Sequence, residues 1–283
     1  MRAGPECFPC ALNQVLRLMR AVELDDETIL DAIKEAWEYI KGLDLEYSPA
    51  YIATRSIRTG SRYFPVKDPY LEFKREHNRI AIKVLEEVKG KVENSPDPLK
   101  YRLILMASGN IIDLGTQDRF DLLSTLEQNF KAGFGIDHYE IFREKLTTAR
   151  KFMLIADNAG EVVFDIYFLK KLDVYEKILV VKSGPVLNDV TKYDLKGLDT
   201  EGIRIVETGS DALGVDFREA SEEFLEEFNS SDIVLAKGHA NFETLDDAPR
   251  DVFLLLQIKC QVVSRRLGKP VGTPVFALNK LIG

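Results

Sequence analysis

The sequence predicts an α/β protein: a Rossmann-like three-layer α/β/α sandwich with a mainly parallel sheet, preceded by a helical N-terminal domain. Three observations carry this expectation. From Phe152 onward, short apolar runs alternate with helix-length segments, the pattern of strands covered on both faces by crossover helices. Before residue 95 the apolar residues recur at helical spacing instead. Between the two regimes lies Asn94-Ser95-Pro96-Asp97-Pro98, a linker signal. The expected domains are residues 1–95 and 96–283.

Taken in order, Leu12, Val15, Leu16, Leu18, Met19 and Val22 mark a first helix. Asp25-Asp26-Glu27 opens a second, because acidic residues suit the positive end of the helix dipole. Its apolar face is Ile29, Leu30, Ile33, Ala36, Trp37 and Ile40, and Gly42 stops it. Ser48-Pro49 starts a third segment over 50–60, and Asp68-Pro69-Tyr70 a fourth over 71–88. These stripes and the single tryptophan are expected in the core. Beyond the linker come 99–107 and a helical stretch expected around Leu122 to Phe130, and 142–149 leads into the first strand. Strands are expected at 152–156, 178–182, 204–207, 232–236, 252–257 and 275–278. The helices between and after them are expected at 162–172, 191–196, 221–228 and 259–267.

Composition narrows the class. Of 283 residues, 45% are hydrophobic and 30% charged, ordinary for a soluble globular protein. No apolar stretch approaches the roughly 18–20 residues that span a bilayer, so no membrane role is expected. The segment from Met1 to Cys7 has no apolar signal core, and the expected location is cytoplasmic. Net charge is −8. Without a basic block or an RNA-binding signature, nucleic acid is not an expected partner. Arg143-Glu144-Lys145, Lys170-Lys171 and Arg265-Arg266 read as solvated faces. No G-x-G-x-x-G or P-loop follows a strand, so dinucleotide and NTP binding are not expected.

The three cysteines, Cys7, Cys10 and Cys260, are too few for a disulfide scaffold. Cys7-Phe8-Pro9-Cys10 is a C-x-x-C at a helix start, where thiol pKa is lowered. It could be a redox pair, or half of a metal site with Cys260 as a third ligand. It could equally be a buried cap of small apolar thiols. No second C-x-x-C completes a four-ligand zinc site.

Three polar motifs fall at expected strand ends, where open α/β sheets bind ligands. They are Asp157-Asn158-Ala159-Gly160-Glu161, Val186-Leu187-Asn188-Asp189-Val190-Thr191 and Lys237-Gly238-His239-Ala240-Asn241-Phe242-Glu243. Asp157, Asn158 and Asp189 supply hard oxygen ligands suited to Mg²⁺, Mn²⁺ or a similar ion. Such an ion can grip a phosphoryl group and activate water. Asp157-Asn158 alone would read as a helix N-cap; Asp189 favours the metal. Ala159-Gly160 would let the backbone approach the ligand. Glu161 and Asp165, four residues apart, could orient ligands or accept a proton, and Asp165 could instead be a plain polar face residue. Gly238 permits a tight turn whose amides bind an anion, and Asn241 can donate to substrate oxygens. The alternative is an ordinary strand-to-helix turn, with His239 an exposed loop histidine. Lys182 and Lys259 are either snorkelling end residues or anion-binding cations.

In order and spacing these motifs resemble the DUF89 family of metal-dependent damage-control phosphatases. Gly109-Asn110-Ile111-Ile112-Asp113 resembles another family landmark, and Cys7-Phe8-Pro9-Cys10 resembles the prokaryotic and archaeal branch. The resemblance implies a helical N-terminal part packed on the α/β/α domain. It also implies a phosphatase for small phosphorylated metabolites, such as sugar phosphates, phosphopantetheine-like compounds or damaged forms, supported by Mn²⁺, Ni²⁺, Co²⁺ or Mg²⁺. It casts Asp157, Asn158 and Asp189 as metal ligands and Gly238, His239, Ala240, Asn241 and Phe242 as a substrate-contacting turn. Lys259 matches a phosphate-binding lysine. Lys237 would assist it, and Glu161 would orient or deprotonate the water. Where the eukaryotic branch carries Arg-Thr near that lysine, this chain has Leu256-Gln257, a departure from the pattern behind that branch's sugar-phosphate preference. Rival readings are an S-adenosylmethionine-dependent carboxyl methyltransferase, disfavoured by the missing glycine-rich turn, and a non-enzymatic metal- or thiol-dependent binding module around Cys7 and Cys10.

Overall fold

In the computed structural model, which describes residues 1–109 and 119–282, seven strands form one sheet. They are β1 (Ile136–Asp137), β2 (Lys151–Ile155), β3 (Glu176–Val181), β4 (Arg204–Glu207), β5 (Ile233–Lys237), β6 (Phe253–Gln257) and β7 (Pro274–Leu278). Their order is β1-β7-β6-β5-β2-β3-β4. Neighbours run parallel except β6 and β7, which pair antiparallel. All six expected strands are present, with ends within two residues. The two-residue β1 is too short to show any periodicity.

The helices are α1 (Cys7–Ala21), α2 (Asp26–Ile40), α3 (Pro49–Gly60), α4 (Leu71–Glu93), α5 (Pro98–Ser108), α6 (Arg119–Ala132) and α7 (Tyr139–Leu146). After β2 come α8 (Glu161–Lys171), α9 (Glu222–Ser230), α10 (His239–Leu245) and α11 (Gln261–Leu267). Starts follow capping chemistry: Asp25, Ser48, Asp97 and Ser221 each accept a backbone N–H from the first turn. The helix expected near Thr191 is a short 3-10 turn, Lys192–Leu195, closed by a Thr191–Asp194 capping box. The seven-residue α10 stands where a turn was an open reading.

Alternation along the strands splits the core into two layers. Phe152, Leu154, Leu179, Leu235, Phe253 and Leu255 face α4, α5, α7 and α8. Met153, Ile155, Val180, Val234, Leu254 and Leu256 face α9, α10 and α11. The result is the three-layer α/β/α sandwich. Helices α1, α2 and α3 build smaller clusters of their own. Helix α4 precedes the 94–98 linker, yet Ala81, Val84, Val88 and Val92 lie in the sheet's core.

One core expectation is corrected. Trp37 and Leu30 are 44% and 51% exposed. The inner face of α2 is the narrow stripe Ile29, Ala32, Ala36 and Ile40, because small residues let α2 approach α1 and α3 closely. No helix among the described residues is long and apolar enough to cross a membrane.

Candidate active site

Strand β2 lies between β3, which follows it in the chain, and β5, which arrives later. At such a switch point the connections diverge and leave a crevice above the strand ends. The backbone closes the floor of that crevice. Ala156 donates to the Val180 carbonyl at 3.0 Å, Val190 to the Asp157 carbonyl at 2.9 Å, and Ala159 to the Asn188 carbonyl at 2.9 Å. Asn158 and Asp189 meet as an isolated antiparallel bridge. Asp157, Asn158 and Asp189 are therefore brought together, all buried. Leu187 turns the approach to Asp189 with φ +45°, left-handed backbone that a leucine adopts only under constraint.

The Asn158 amide nitrogen donates to Asp157 Oδ2 at 3.2 Å and to Glu161 Oε1 at 2.9 Å. Its hydrogens thus point at carboxylates, and Oδ1 is the atom it can offer a cation. Burial, with Glu161 and Asp189 nearby, pushes the Asp157 carboxyl well above its ordinary range, against the opposing pull of Lys259 and Lys237. The Lys237 ammonium, 1% exposed, pairs with Glu161 Oε2 at 3.0 Å and Asp165 Oδ1 at 2.7 Å. Those carboxylates push it above its usual value despite burial. Burial pushes Asp165 up to about 7. Buried Lys182 donates to the Gly214 carbonyl and sits 3.7 Å from Asp189 Oδ2; burial lowers its pKa. Four buried carboxylates thus face two buried ammonium groups.

Two expectations change here. Lys237 is not at the mouth of the crevice; it is enclosed between Glu161 and Asp165. The freedom of Gly160 (φ +81°) serves packing against α4: a Cβ there would lie 3.1 Å from His77 Cβ. Its N–H is taken by Asn78 Oδ1 at 2.6 Å and is not offered to a ligand.

Helix α4 supplies residues that sequence reasoning missed. Asn78 also donates to the Asp194 carbonyl at 2.8 Å, tying the Asp157 loop to the loop behind Asp189. Lys74, fully buried, pairs with Asp68 at 2.7 Å and Asp194 at 2.8 Å, and Asp194 caps Thr191. A signal existed: Lys74, His77 and Asn78 are polar residues at i, i+3 and i+4, in line with apolar Ala81.

The third motif begins with Gly238, φ +85° and ψ 171°. A Cβ at Gly238 would strike the Asp157 carboxylate; even Oδ1, the farthest of three clashing atoms, would be 2.5 Å away. Asn241 donates to the Ala156 and Lys237 carbonyls at 3.0 and 2.6 Å, stapling β2 to β5. Its buried Oδ1 has no hydrogen-bond partner among the described residues. Phe242 is a core residue, fully buried against the sheet, so its side chain is not displayed to a substrate as expected; Ala240, half-buried, packs on the cluster around Leu213. His239 is not an exposed loop residue. Its Nε2 accepts the Lys259 N–H at 2.8 Å, and burial with nearby Lys259 pushes it down to about 4. Lys259 itself is exposed at the rim, near enough to act on Asp157.

All three thiols are free. Burial pushes Cys7 up to about 11 and also raises Cys10, whose residue surface is nonetheless partly exposed, with Glu243 adding to both. Among the described residues no three His, Cys, Asp or Glu side chains are arranged to hold an ion. The candidate ion site is accordingly two carboxylates and a carboxamide, with other positions left to water or phosphate oxygens. Of the landmark beginning at Gly109, Asn110, Ile111, Ile112 and Asp113 lie outside the described residues. A cavity of about 970 Å³ beside Thr54, Arg55, Arg58 and Leu213 does not include the Asp157 cluster.

A doubly wound sheet with an acidic crevice at its switch point defines a class of α/β proteins that bind cations and phosphates. The chain belongs to one family within it: residues 3–275 match the damage-control phosphatase ARMT1-like domain. It is 32% identical to the damage-control phosphatase PH1575 of Pyrococcus horikoshii, over 99% of both chains. The crystal structure of that DUF89 family protein superposes with a TM-score of 0.89 at 30% identity, covering 99% of each chain. A damage-control phosphatase of Archaeoglobus fulgidus is 31% identical over 97% of this chain and 98% of its own. The mouse 4'-phosphopantetheine phosphatase is 25% identical over 65% of this chain and 26% of its own length.

Proposed function

We propose that the protein is a metal-dependent phosphatase that hydrolyses phosphate monoesters of small metabolites, with a divalent ion held by Asp157, Asn158 Oδ1 and Asp189. The observation that carries this reading is the charge of the buried cluster. With all groups ionised, Asp157, Glu161, Asp165 and Asp189 outnumber Lys182 and Lys237 by two, a state that burial resists at Asp157 and Asp165 and that a bound cation favours. That excess fits one Mn²⁺, Ni²⁺, Co²⁺ or Mg²⁺, whose hard-oxygen preference matches this donor set.

When bound, such an ion neutralises phosphate charge and makes water a better nucleophile. The protein's own groups do the rest. Asn158 is oriented by Glu161, whose two oxygens are both engaged; this casts Glu161 as an orienting group rather than the base. Lys259, exposed at the rim, offsets the charge of the incoming phosphate. His239 is neutral at physiological pH and anchors the Lys259 backbone. Damage-control and 4'-phosphopantetheine phosphatases among the relatives support small phosphorylated metabolites as substrates. Three free thiols suit a reducing, cytoplasmic setting.

The test is a panel of sugar phosphates, 4'-phosphopantetheine and related phosphometabolites assayed with each ion. Release of phosphate from at least one, only with an ion present, is expected. Calorimetric binding of S-adenosylmethionine without phosphate release from any substrate would overturn the reading.

A further inference from the structure

We propose that Lys237 and Asp165 form a buried positioning relay that fixes the ligand set through Glu161 and Asn158. The inference rests on the proposed metal site and assigns roles to two residues that cannot reach the substrate. Alternation along β5 puts Lys237 on the same sheet face as Leu235, the face covered by α8. Spacing of four along α8 puts Glu161 and Asp165 on one helix face. These two periodicities meet at one ammonium group, with Lys237, Glu161 and Asp165 all at most 2% exposed.

The contacts run in one line. Asp165 Oδ1 holds Lys237 Nζ at 2.7 Å, and Lys237 holds Glu161 Oε2 at 3.0 Å. Glu161 Oε1 then holds the Asn158 amide nitrogen at 2.9 Å. A carboxamide can rotate and offer either end to a cation. Glu161 removes that ambiguity by accepting from the nitrogen, and Lys237 keeps Glu161 from rotating away. Asp165 stops Lys237 from leaning wholly onto one carboxylate. Supports of this kind behind a ligand affect metal affinity by about 10–100-fold.

Positioning and simple charge make opposite forecasts for one substitution. Asp165→Leu with Lys237→Met removes one carboxylate and one ammonium group, leaving the cluster's formal net charge unchanged. Replacing a buried ion pair by apolar residues of similar size is often tolerated, so the fold should persist. Mn²⁺ binding to the metal-free protein is measured by calorimetry, beside thermal unfolding and the electron paramagnetic resonance spectrum of bound Mn²⁺. The relay predicts affinity about 10–100-fold weaker with an altered spectrum, at a melting temperature lowered because Glu161 Oε2 has lost its partner. Wild-type affinity and spectrum in the double variant would overturn it. If the double variant does not fold, Asp165→Asn carries the test: an altered spectrum supports the relay and a wild-type spectrum overturns it. Failure of wild-type protein to bind any divalent ion would instead overturn the metal site and the relay together.

Discussion

Gly238→Ala is the sharpest single perturbation of this site, because two separate costs can be read from the structure and then separated experimentally. The first is conformational. At φ +85° and ψ 171° the backbone occupies a region essentially reserved for glycine, worth about 1–3 kcal/mol for another residue. The second is steric. The new methyl group would overlap three atoms of the Asp157 carboxylate, Cγ, Oδ1 and Oδ2. A forced shift in a packed interior adds about 1–3 kcal/mol. Together the loss is about 2–6 kcal/mol, a large part of the roughly 5–15 kcal/mol that stabilises a folded chain. All three atoms disappear in Asp157→Ala, while the backbone strain does not. Urea denaturation of the four proteins in a double-mutant cycle, in chelator, should therefore show Gly238→Ala costing only about 1–3 kcal/mol in the Asp157→Ala background. An equal cost in both backgrounds, within about 0.5 kcal/mol, would refute the steric half of the reasoning.

Asp157→Asn should raise the melting temperature of the metal-free protein at pH 8 while removing phosphatase activity. The raised folded pKa of Asp157 means its stabilising contribution is present at low pH and lost as pH rises. The gain over wild type should therefore vanish as pH falls toward 4, and a gain independent of pH would count against this. Glu243 is pushed up to about 8, chiefly by burial. The same sign applies: wild-type stability should fall between about pH 4.5 and 8, and Glu243→Gln should recover a few kcal/mol at pH 9, at about 1.4 kcal/mol per pKa unit, but nothing at pH 4.5. Denaturation at the two pH values decides. Asn78→Ala leaves the Gly160 N–H and the Asp194 carbonyl without their partner. It should cost about 2–6 kcal/mol, from about 1–3 for each of the two buried unsatisfied groups, and weaken Mn²⁺ binding. A cost below about 0.5 kcal/mol, the scale of ordinary surface substitutions, would show that α4 does not hold the two loops.

The sheet was legible because its strands are short, apolar on both faces and regularly spaced. Phe253-Leu254-Leu255-Leu256 alone feeds both core layers. The meeting of Asp157, Asn158 and Asp189 was legible for a related reason: motifs at the ends of adjacent parallel strands must converge. What stayed hidden was direction and distance. Lys237 reads as a strand-end cation until alternation from Leu235 is followed, which turns it inward toward α8. Phe242 sits in a motif of ligand-contacting type, yet as the fourth residue of α10 it turns back onto the sheet. Asn78 and Lys74 act across 82 and 120 residues of sequence, a separation that no local pattern encodes. Trp37 was misplaced because a wide apolar stripe suggests wide burial, whereas α2 needs only its alanine-lined edge.

The central claim is that Asp157, Asn158 and Asp189 hold an ion that makes phosphoester hydrolysis possible. The most direct measurement is phosphate release from p-nitrophenyl phosphate by chelator-stripped protein, before and after adding Mn²⁺, Co²⁺, Ni²⁺ or Mg²⁺, for the wild type and Asp157→Ala. The account predicts no release without an ion, release restored by at least one, and none from Asp157→Ala under any condition. Release that survives the chelator, or that keeps its full metal dependence in Asp157→Ala, would contradict it.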